Sequence, residues 1–397
     1  MKKIRWPALI IGTKFVFYRA LSWALAWRYG RRREYRGWAC ILRNDALGDF
    51  FLSWPPLAGL ADYFHARGVP VVILASERMC AFIAATGKFD AVVPADARVM
   101  GKSLWRRLIT FAQLRRFAPD VFISLICVPE VRLGLNDLIA YFVGAREKYG
   151  CALRLICRGD FVNRFIYLRR GNRFYKHLLR AAGRQALSEI EGALFRMVTG
   201  NAVPPPPELP CPPAARPPEL PPAGRYCVVV PGAADPGRRW AVANFCDWAA
   251  QTRCGNPELS FVVVGAAAEK PLGEEIRRAL PDGAVIDLCG RTTLGELTAV
   301  IRGARFVLTN DTGTMHVAGR LGAPAVCVLG GGHFGLYAPC AEYPTVRYVY
   351  RRRRCFWCGW ECRQPEYVRG QAFPCIADVT VAEVLAQTAP LAGAAPA

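Results

Sequence analysis

Half of the residues from Val203 to Gly224 (VPPPPELPCPPAARPPELPPAG) are proline. A ring that fixes φ and removes the backbone N–H is excluded from helix interiors and central strands, so this stretch favours a stiff, extended connector. The chain must therefore build its cores on either side of it. Its 397 residues, 53% of them hydrophobic, are enough for two. The pattern divides into a basic amphipathic segment over 1–37, an α/β domain over 38–202, the proline-rich linker over 203–224, a second α/β domain over 225–376, and a helix with a tail over 377–397.

The most informative stretch beyond the linker is RFVLTNDTGTMHVAGRLGAPAVCVLGGG, Arg305 to Gly332. Phe306 to Leu308 is a short apolar run, Asn310-Asp311-Thr312-Gly313 carries turn chemistry, and Met315 to Leu321 has helical spacing. Gly322 and Pro324 stop that helix before a second apolar run, Ala325 to Leu329. In open α/β sheets, ligands sit at the carboxyl ends of strands and against helix N-termini, whose free N–H groups attract phosphate. Here that place holds Asp311, Thr312, Gly313 and His316. An Asp N-cap with a packed histidine is the plainer reading; a polar, phosphate-bearing ligand is the functional one.

The same unit recurs. Trp38 to Leu42 leads into Arg43-Asn44-Asp45-Ala46-Leu47-Gly48-Asp49, and Phe50 to Leu60 then has helical spacing with Pro55-Pro56 inside it. Asp49 near the start of that helix complements the helix dipole, and it also stands where a general base would stand. Val69 to Leu74, Ala91 to Pro94 and Val121 to Leu125 follow as strands separated by helical stretches. Cys151 to Arg184, dense in Arg with interleaved Phe and Tyr, reads as solvated helix faces, with an acceptor or membrane patch as the alternative. After the linker come strands at Tyr226 to Val230, Phe261 to Val264 and Val285 to Leu288, with helices from Val242 to Thr252 and Leu294 to Arg302. This alternation predicts parallel sheets with helices on both faces. Two such domains would leave a cleft between their carboxyl edges, a natural place for two substrates. Asp378 to Thr388 reads as the final helix and Ala389 to Ala397 as a disordered tail.

A formal net charge of +21 calls for an anionic partner, and charge alone does not choose among nucleic acid, acidic membrane and phosphorylated substrate. No base-reading motif is present and the basic residues are spread along the whole chain, which argues against nucleic acid. Ile4 to Tyr29 is rich in apolar residues but interrupted by Lys14, Arg19 and Arg28, too broken for a transmembrane helix and for a well-formed signal peptide. With Trp6, Trp23 and Trp27 it suits the surface of an anionic bilayer, or else a helix packed on the protein's own core. Most of the 16 cysteines stand singly in apolar runs, as small hydrophobes in a reducing compartment. The exception is Cys355-x2-Cys358-x3-Cys362-x12-Cys375, with Trp357 and Trp360 between them: a structural metal site or a reduced cluster.

Four segments resemble one family, the bacterial family 9 glycosyltransferases, whose best-known members are ADP-heptose:lipopolysaccharide heptosyltransferases. They are ALGDFFLSWPPLAGL (Ala46 to Leu60), PGAADPGRRW (Pro231 to Trp240), VVVGAAAE (Val262 to Glu269) and NDTGTMHVAGRLGAPAVCVLGG (Asn310 to Gly331). The resemblance implies a GT-B fold: two Rossmann-like, doubly wound domains facing a cleft, the sugar nucleotide on the C-terminal one and the acceptor mostly on the N-terminal one. By position, it implies that Asp49, after Gly48 of the acceptor-side loop, is the catalytic base. Arg238 falls on the diphosphate, where the family usually has Lys, and brings a fork of donors. Glu269 falls on the ribose, Asp311, Thr312 and Gly313 on the phosphate and sugar loop, and His316 behind it. Two departures stand out. Ala233 and Ala234 replace hydroxyl residues that follow Pro-Gly in some heptosyltransferases, and Gly330-Gly331-Gly332-His333-Phe334 replaces the usual Gly-Pro-Thr-Asp.

The resemblance further implies an inverting glycosyl transfer without metal or cofactor, from a nucleotide-sugar donor (an ADP-sugar, heptose favoured) to an anionic glycolipid or glycan such as the lipopolysaccharide core. That reaction would take place in the cytoplasm at the inner face of the inner membrane. Another nucleotide sugar on the same fold, and a non-catalytic membrane-bound module that only binds nucleotide sugars, are the alternatives.

Overall fold

The computed structural model describes residues 37–96, 104–126, 139–154 except 141, 175–205 except 183, 208–211, 214 and 216–393. The basic segment expected over 1–37 lies almost wholly outside them. Among the described residues no helix is long and apolar enough to cross a membrane.

The chain forms two units, each built on a six-stranded parallel sheet. In the first unit the strands are β1 (Ala39–Arg43), β2 (Val71–Ala75), β3 (Ala91–Pro94), β4 (Val121–Ser124), β5 (Glu147–Arg154) and β6 (His177–Ala182), in the spatial order β3-β2-β1-β4-β5-β6. Every residue of β1 and β2 is buried, as expected for parallel strands covered on both faces. Their core includes Phe111, Phe122, Phe142 and Ile139, with Phe111 stacked on Phe142 at 4.2 Å between ring centroids.

The second unit carries β7 (Tyr226–Val230), β8 (Ser260–Val263), β9 (Val285–Asp287), β10 (Val307–Asn310), β11 (Ala325–Val328) and β12 (Val346–Val349), in the order β12-β11-β10-β7-β8-β9. Counted from its own first strand, this is the same order as in the first unit. Each sheet thus changes direction once, at β1/β4 and at β7/β10. Such a reversal opens a crevice at the carboxyl ends of the two strands flanking it. The core of the second unit is aromatic: Trp248 meets Phe261 and Phe306 edge-on, and Trp240 does the same with Phe245.

The helices named below are α1 (Leu47–Leu52), α2 (Trp54–His65), α3 (Glu77–Ala85), α4 (Leu104–Phe117), α5 (Leu187–Thr199), α6 (Val242–Gly255), α7 (Lys270–Arg278), α8 (Leu294–Arg302), α9 (Gly313–Arg320), α10 (Pro374–Ala377) and α11 (Val381–Ala392). The second unit comprises Pro207–Ala397 together with Arg184–Leu187 and Ala46–Trp54, so α1 follows β1 in sequence but belongs with the second sheet.

Four expectations are corrected. Of the Arg-dense stretch from Cys151 to Arg184, residues 155–174 lie outside the described residues, and the described part holds strand rather than solvated helix: β5 includes Cys151 to Arg154, and β6 pairs with it in parallel. β6 is an edge strand and mostly half-exposed, a position where Lys, Arg and His blunt an open edge. The helix expected from Phe50 to Leu60 is two helices, because Ser53 closes α1 and α2 starts at Trp54. Pro55 and Pro56 then fall in the first turn of α2, where a missing N–H costs nothing. The final helix begins later than Asp378, at Val381, where Thr380 caps it: the hydroxyl accepts from Glu383 N at 3.3 Å and the Glu383 carboxylate accepts from Thr380 N at 2.9 Å. Finally, that helix continues through Ala389 to Ala392, and Ala392, only 1% exposed, accepts a hydrogen bond from Arg305 Nη1 at 2.6 Å. Within the proline-rich stretch, Leu209 and Leu220 are buried and Arg216 lies over the ring of Tyr226.

Candidate active site

The residues singled out by sequence gather at the carboxyl end of the second sheet, around the β7/β10 crevice. Asn310, the last residue of β10 and fully buried, fixes its shape. Its amide donates to the carbonyl of Pro231 at 2.8 Å, while its Oδ1 accepts from Trp240 N at 3.0 Å. One side chain thereby ties the loop after β7 to the end of β10. Sequence reasoning passed over it as a turn residue.

Asp311 follows, 7% exposed. Arg238 Nη2 lies 2.9 Å from its Oδ2 and donates to its backbone carbonyl at 2.5 Å. The Arg238 side chain is partly open to solvent, whereas its Nε is buried and has no hydrogen-bond partner. A buried guanidinium donor without a partner is costly unless a ligand supplies an acceptor. The neighbouring Arg239 points elsewhere: its Nε and Nη2 donate to Ala233 O at 3.0 and 2.8 Å, bracing the loop after β7. Of the two arginines, Arg238 is the one that pairs with Asp311.

α9 begins at Gly313 with Thr312 as its N-cap residue. Thr312 makes no side-chain cap to the helix and its Oγ1 is instead 3.3 Å from Thr309 Oγ1. The first turn of α9, uncapped by a side chain, starts two residues after the Asp311 that Arg238 holds, a place suited to phosphate.

α1 closes against α9. A Cβ on Gly313 would stand 3.1 Å from Gly48 N, and one on Gly48 would stand 2.7 Å from His316 Cδ2. Both glycines are demanded by close approach rather than by dihedral angle. Arg320, at the last turn of α9, donates to the carbonyls of Phe51 and Leu52 at 3.0 and 3.2 Å, satisfying the open end of α1. Asp49, half-buried in the first turn of α1, accepts from Ala46 N at 3.1 Å. The dipole-complementing role and the position beside α9 thus coexist in one carboxylate.

His316 is buried under Gly48, with Nδ1 lacking a partner and its ring edge-on to Tyr343. Burial lowers its pKa, against the pull of Asp311 and Asp49, so the imidazole is held neutral.

Glu269 reaches across from the end of β8. Its Oε2 accepts from Ala266 N at 2.8 Å, and a Cβ on Gly232 would fall 1.9 Å from its Oε1. The carboxylate therefore lies over the glycine of the loop after β7, a short distance along the sheet edge from Arg238.

The other wall of the site was not legible in advance. Gly330-Gly331-Gly332, after β11, is roofed by aromatic rings: a Cβ on Gly332 would lie 2.1 Å from Trp360 Cδ2, and one on Gly331 2.2 Å from Phe356 Cδ1. The backbone of the cysteine loop bonds to it, with Trp357 N donating to Gly331 O and Gly359 N to Gly332 O. Trp360 lies 4.7 Å beneath the Arg238 guanidinium, and its Nε1–H donates to His333 Nδ1 at 3.2 Å. The sequence shows the substituted loop and the tryptophans, but nothing in their spacing reveals that the two segments meet.

Cys355, Cys358, Cys362 and Cys375 are free thiols. Cys375 is buried, its thiol pushed up by burial, and its sulfur accepts from Gly331 N at 3.4 Å. Among the described residues no group of three or more His, Cys, Asp or Glu could hold a metal ion.

Known proteins match this arrangement in sequence and in fold. Residues 166–355 match the profile of Glycosyltransferase family 9 (heptosyltransferase). Lipooligosaccharide heptosyltransferase 2 of Haemophilus influenzae is 33% identical over 98 residues, 24% of this chain. The chain spans only 28% of that relative's length in this match. The solved structure of E. coli ADP-heptose lps heptosyltransferase II superposes with a TM-score of 0.64 at 18% identity, covering 89% of this chain and 98% of that one. E. coli heptosyltransferase WaaC, solved with ADP-2-deoxy-2-fluoro heptose, gives 0.59 at 17% identity over 87% of this chain and 97% of that one. With the order of the two sheets, these likenesses establish a GT-B fold of two Rossmann-like units, and residues 166–355 are similar to glycosyltransferase family 9 (heptosyltransferase).

Proposed function

We propose that this protein is an inverting glycosyltransferase that moves a sugar, heptose from ADP-heptose being favoured, onto the lipopolysaccharide core or a related anionic glycan. The observation that carries this reading is the convergence of Arg238, Asp311 and the α9 N-terminus at the β7/β10 crevice, with Asp49 on the helix packed against α9. The ADP-sugar named for the solved heptosyltransferase complex suits such a site. Residues 225–376 would hold the donor and 38–202 most of the acceptor. Glu269 would take the ribose hydroxyls, while Arg238, Thr312 and Gly313 take the diphosphate, with Asp311 aligning Arg238 and His316 filling the space behind.

Chemically, Asp49 takes the proton from an acceptor hydroxyl, whose oxygen attacks the anomeric carbon from the face opposite the diphosphate. The new C–O bond forms as the bond to the β-phosphate oxygen breaks, and the nucleoside diphosphate leaves with its extra negative charge. Arg238 and the N–H groups of the α9 first turn stabilise that charge, a task that falls to a divalent ion in other enzymes. No metal is required on this reading. The basic chain would work as a peripheral protein at the inner face of the inner membrane, with residues 1–37 on the bilayer surface. A second reading, another nucleotide sugar on the same site, is favoured by the substitution at Gly330 to Phe334.

The test is calorimetric titration of ADP, UDP and GDP, with and without Mg²⁺, against the wild type and Arg238→Ala. Mg²⁺-independent preference for ADP, lost in the variant, supports the proposal. Preference for UDP or GDP moves the donor, and binding of none of the three removes the enzyme reading.

A further inference from the structure

The histidine of the substituted loop, His333, has no role in the reading above. It is nevertheless tied to the same indole as Arg238. Trp360 carries the guanidinium over one face, and its Nε1–H donates to His333 Nδ1 at 3.2 Å. An indole nitrogen only donates, so Nδ1 must offer its lone pair, and a neutral imidazole then carries its one proton on Nε2. The tryptophan fixes the tautomer.

Trp360 is itself strongly held. Its backbone is left-handed, with φ 65°, and its ring stacks on Phe373 at 5.4 Å. It also packs onto Gly330 and Gly332, where a Cβ would come within 2.8 and 2.1 Å of the indole. A tryptophan in that backbone region is strained, in the way that concentrates at ligand sites. His333 is half-buried, and the charges its ring senses are Arg238, Asp311 and Asp49, the residues of the crevice. Burial, reinforced by Arg238, lowers its pKa and keeps it neutral.

We infer that His333 is a donor-site residue, which gives its Nε2–H to the diphosphate of the nucleotide sugar beside Arg238, with Trp360 as the positioning residue that sets its tautomer. A neutral N–H donor there supplements the guanidinium without adding a second cation. This rests on the proposed nucleotide-diphosphate reading of the crevice.

Two isosteric changes separate a ligand contact from a packing role. His333→Asn puts an amide near the Nδ1 position and preserves the partner of Trp360, but removes the Nε2–H. His333→Gln reaches the Nε2 position with an N–H and gives up the bond to Trp360. Titrations use ADP and AMP as probes, with UDP and GDP alongside. The expected result is roughly a ten- to hundredfold weaker ADP affinity for His333→Asn, near-wild-type affinity for His333→Gln, and little change in AMP affinity for either, as loss of one phosphate hydrogen bond predicts. Long-range ¹H–¹⁵N spectra should show the Nε2–H tautomer in the wild type and a mixture in Trp360→Phe. Retention of ADP affinity in Asn with loss in Gln would assign His333 to packing on Trp360, and an equal loss of AMP affinity would remove the diphosphate contact. Either overturns the inference. If the wild type binds none of the diphosphates, the nucleotide-sugar reading fails instead, and the tautomer spectrum still reports on Trp360.

Discussion

Gly232 and Glu269 are in such close contact that a methyl group at position 232 would stand 1.9 Å from Oε1 and 2.0 Å from Cδ of the glutamate. The glycine is required by geometry alone: its absent side chain is the space in which the carboxylate lies. Gly232→Ala should therefore fold, because the obstructing group is the end of a flexible side chain. Overpacking of this kind costs about 1–3 kcal/mol. The expected readout is a fall in ADP affinity of tenfold or more with only a modest drop in the urea midpoint. Unchanged ADP affinity would remove Glu269 from the ribose site.

Asp49→Asn retains an oxygen for Ala46 N, so α1 should keep its start. Turnover should fall roughly 10²- to 10⁴-fold, the range for loss of a general base, while ADP binding stays within about twofold. Activity above a few per cent of wild type would disqualify Asp49 as the base.

Arg238→Ala leaves Asp311, already 7% exposed, without its ion-pair partner. Loss of a charge-assisted contact is worth about 1.5–3 kcal/mol, or roughly ten- to hundredfold in the Kd for ADP. Arg238→Lys keeps the charge but cannot make the two contacts to Asp311 and lie flat over Trp360 together. Its affinity should fall between the two, measured by the same titration.

Acid should destabilise the protein before its carboxylates titrate. His316 and His333 both have folded-state pKa values below the usual 6.5, chiefly through burial. The unfolded chain therefore binds more protons than the folded one as pH falls below 6.5, and stability present above that value declines downward through the folded-state pKa. Urea midpoints at pH 8.0 and 5.5 should show the decline, and His316→Gln should reduce it. A slope identical in wild type and variant would mean that His316 does not titrate in this window.

The buried pair Arg43–Glu191 offers a check on the first unit, with 2.9 Å between Nη1 and Oε1 and side chains 1% and 0% exposed. Glu191→Ala leaves the buried guanidinium with Asp45, 3.1 Å from its Nε, and should cost less than the about 3–5 kcal/mol of a fully unpaired buried charge. Glu191→Gln should cost less, since an acceptor remains. Equal unfolding midpoints for Glu191→Ala and wild type would contradict the burial.

What the sequence made legible follows from how local each signal is. Asp311 to His316 sit on one strand–turn–helix unit, so periodicity and turn chemistry singled them out, whereas Glu269 and Arg238 came only from the family resemblance. β6 was illegible because edge strands tolerate charge, which erases the apolar run on which strand reading depends. The break at Ser53 was missed because a double proline within apolar spacing looks like an interior defect when it is in fact a first turn. The roof over Gly330 to Gly332 depends on a contact across nearly thirty positions between two segments that each resemble irregular loop. Periodicity carries no information about such a meeting.

Because α1 belongs with the second sheet while β1 belongs with the first, cutting the chain at its proline-rich run would not separate it into self-sufficient halves. The half from Pro207 onward would keep Arg238, Glu269 and Asp311 but forfeit Gly48, which covers His316, and the carbonyls of Phe51 and Leu52 that receive Arg320. On the proposed reading it would keep the nucleotide-binding residues, with an uncovered histidine and without Asp49. A peptide spanning Ala46 to Trp54 is then the natural complement for such a fragment, and modularity in this protein follows the packing of its helices rather than the order of its genetic text.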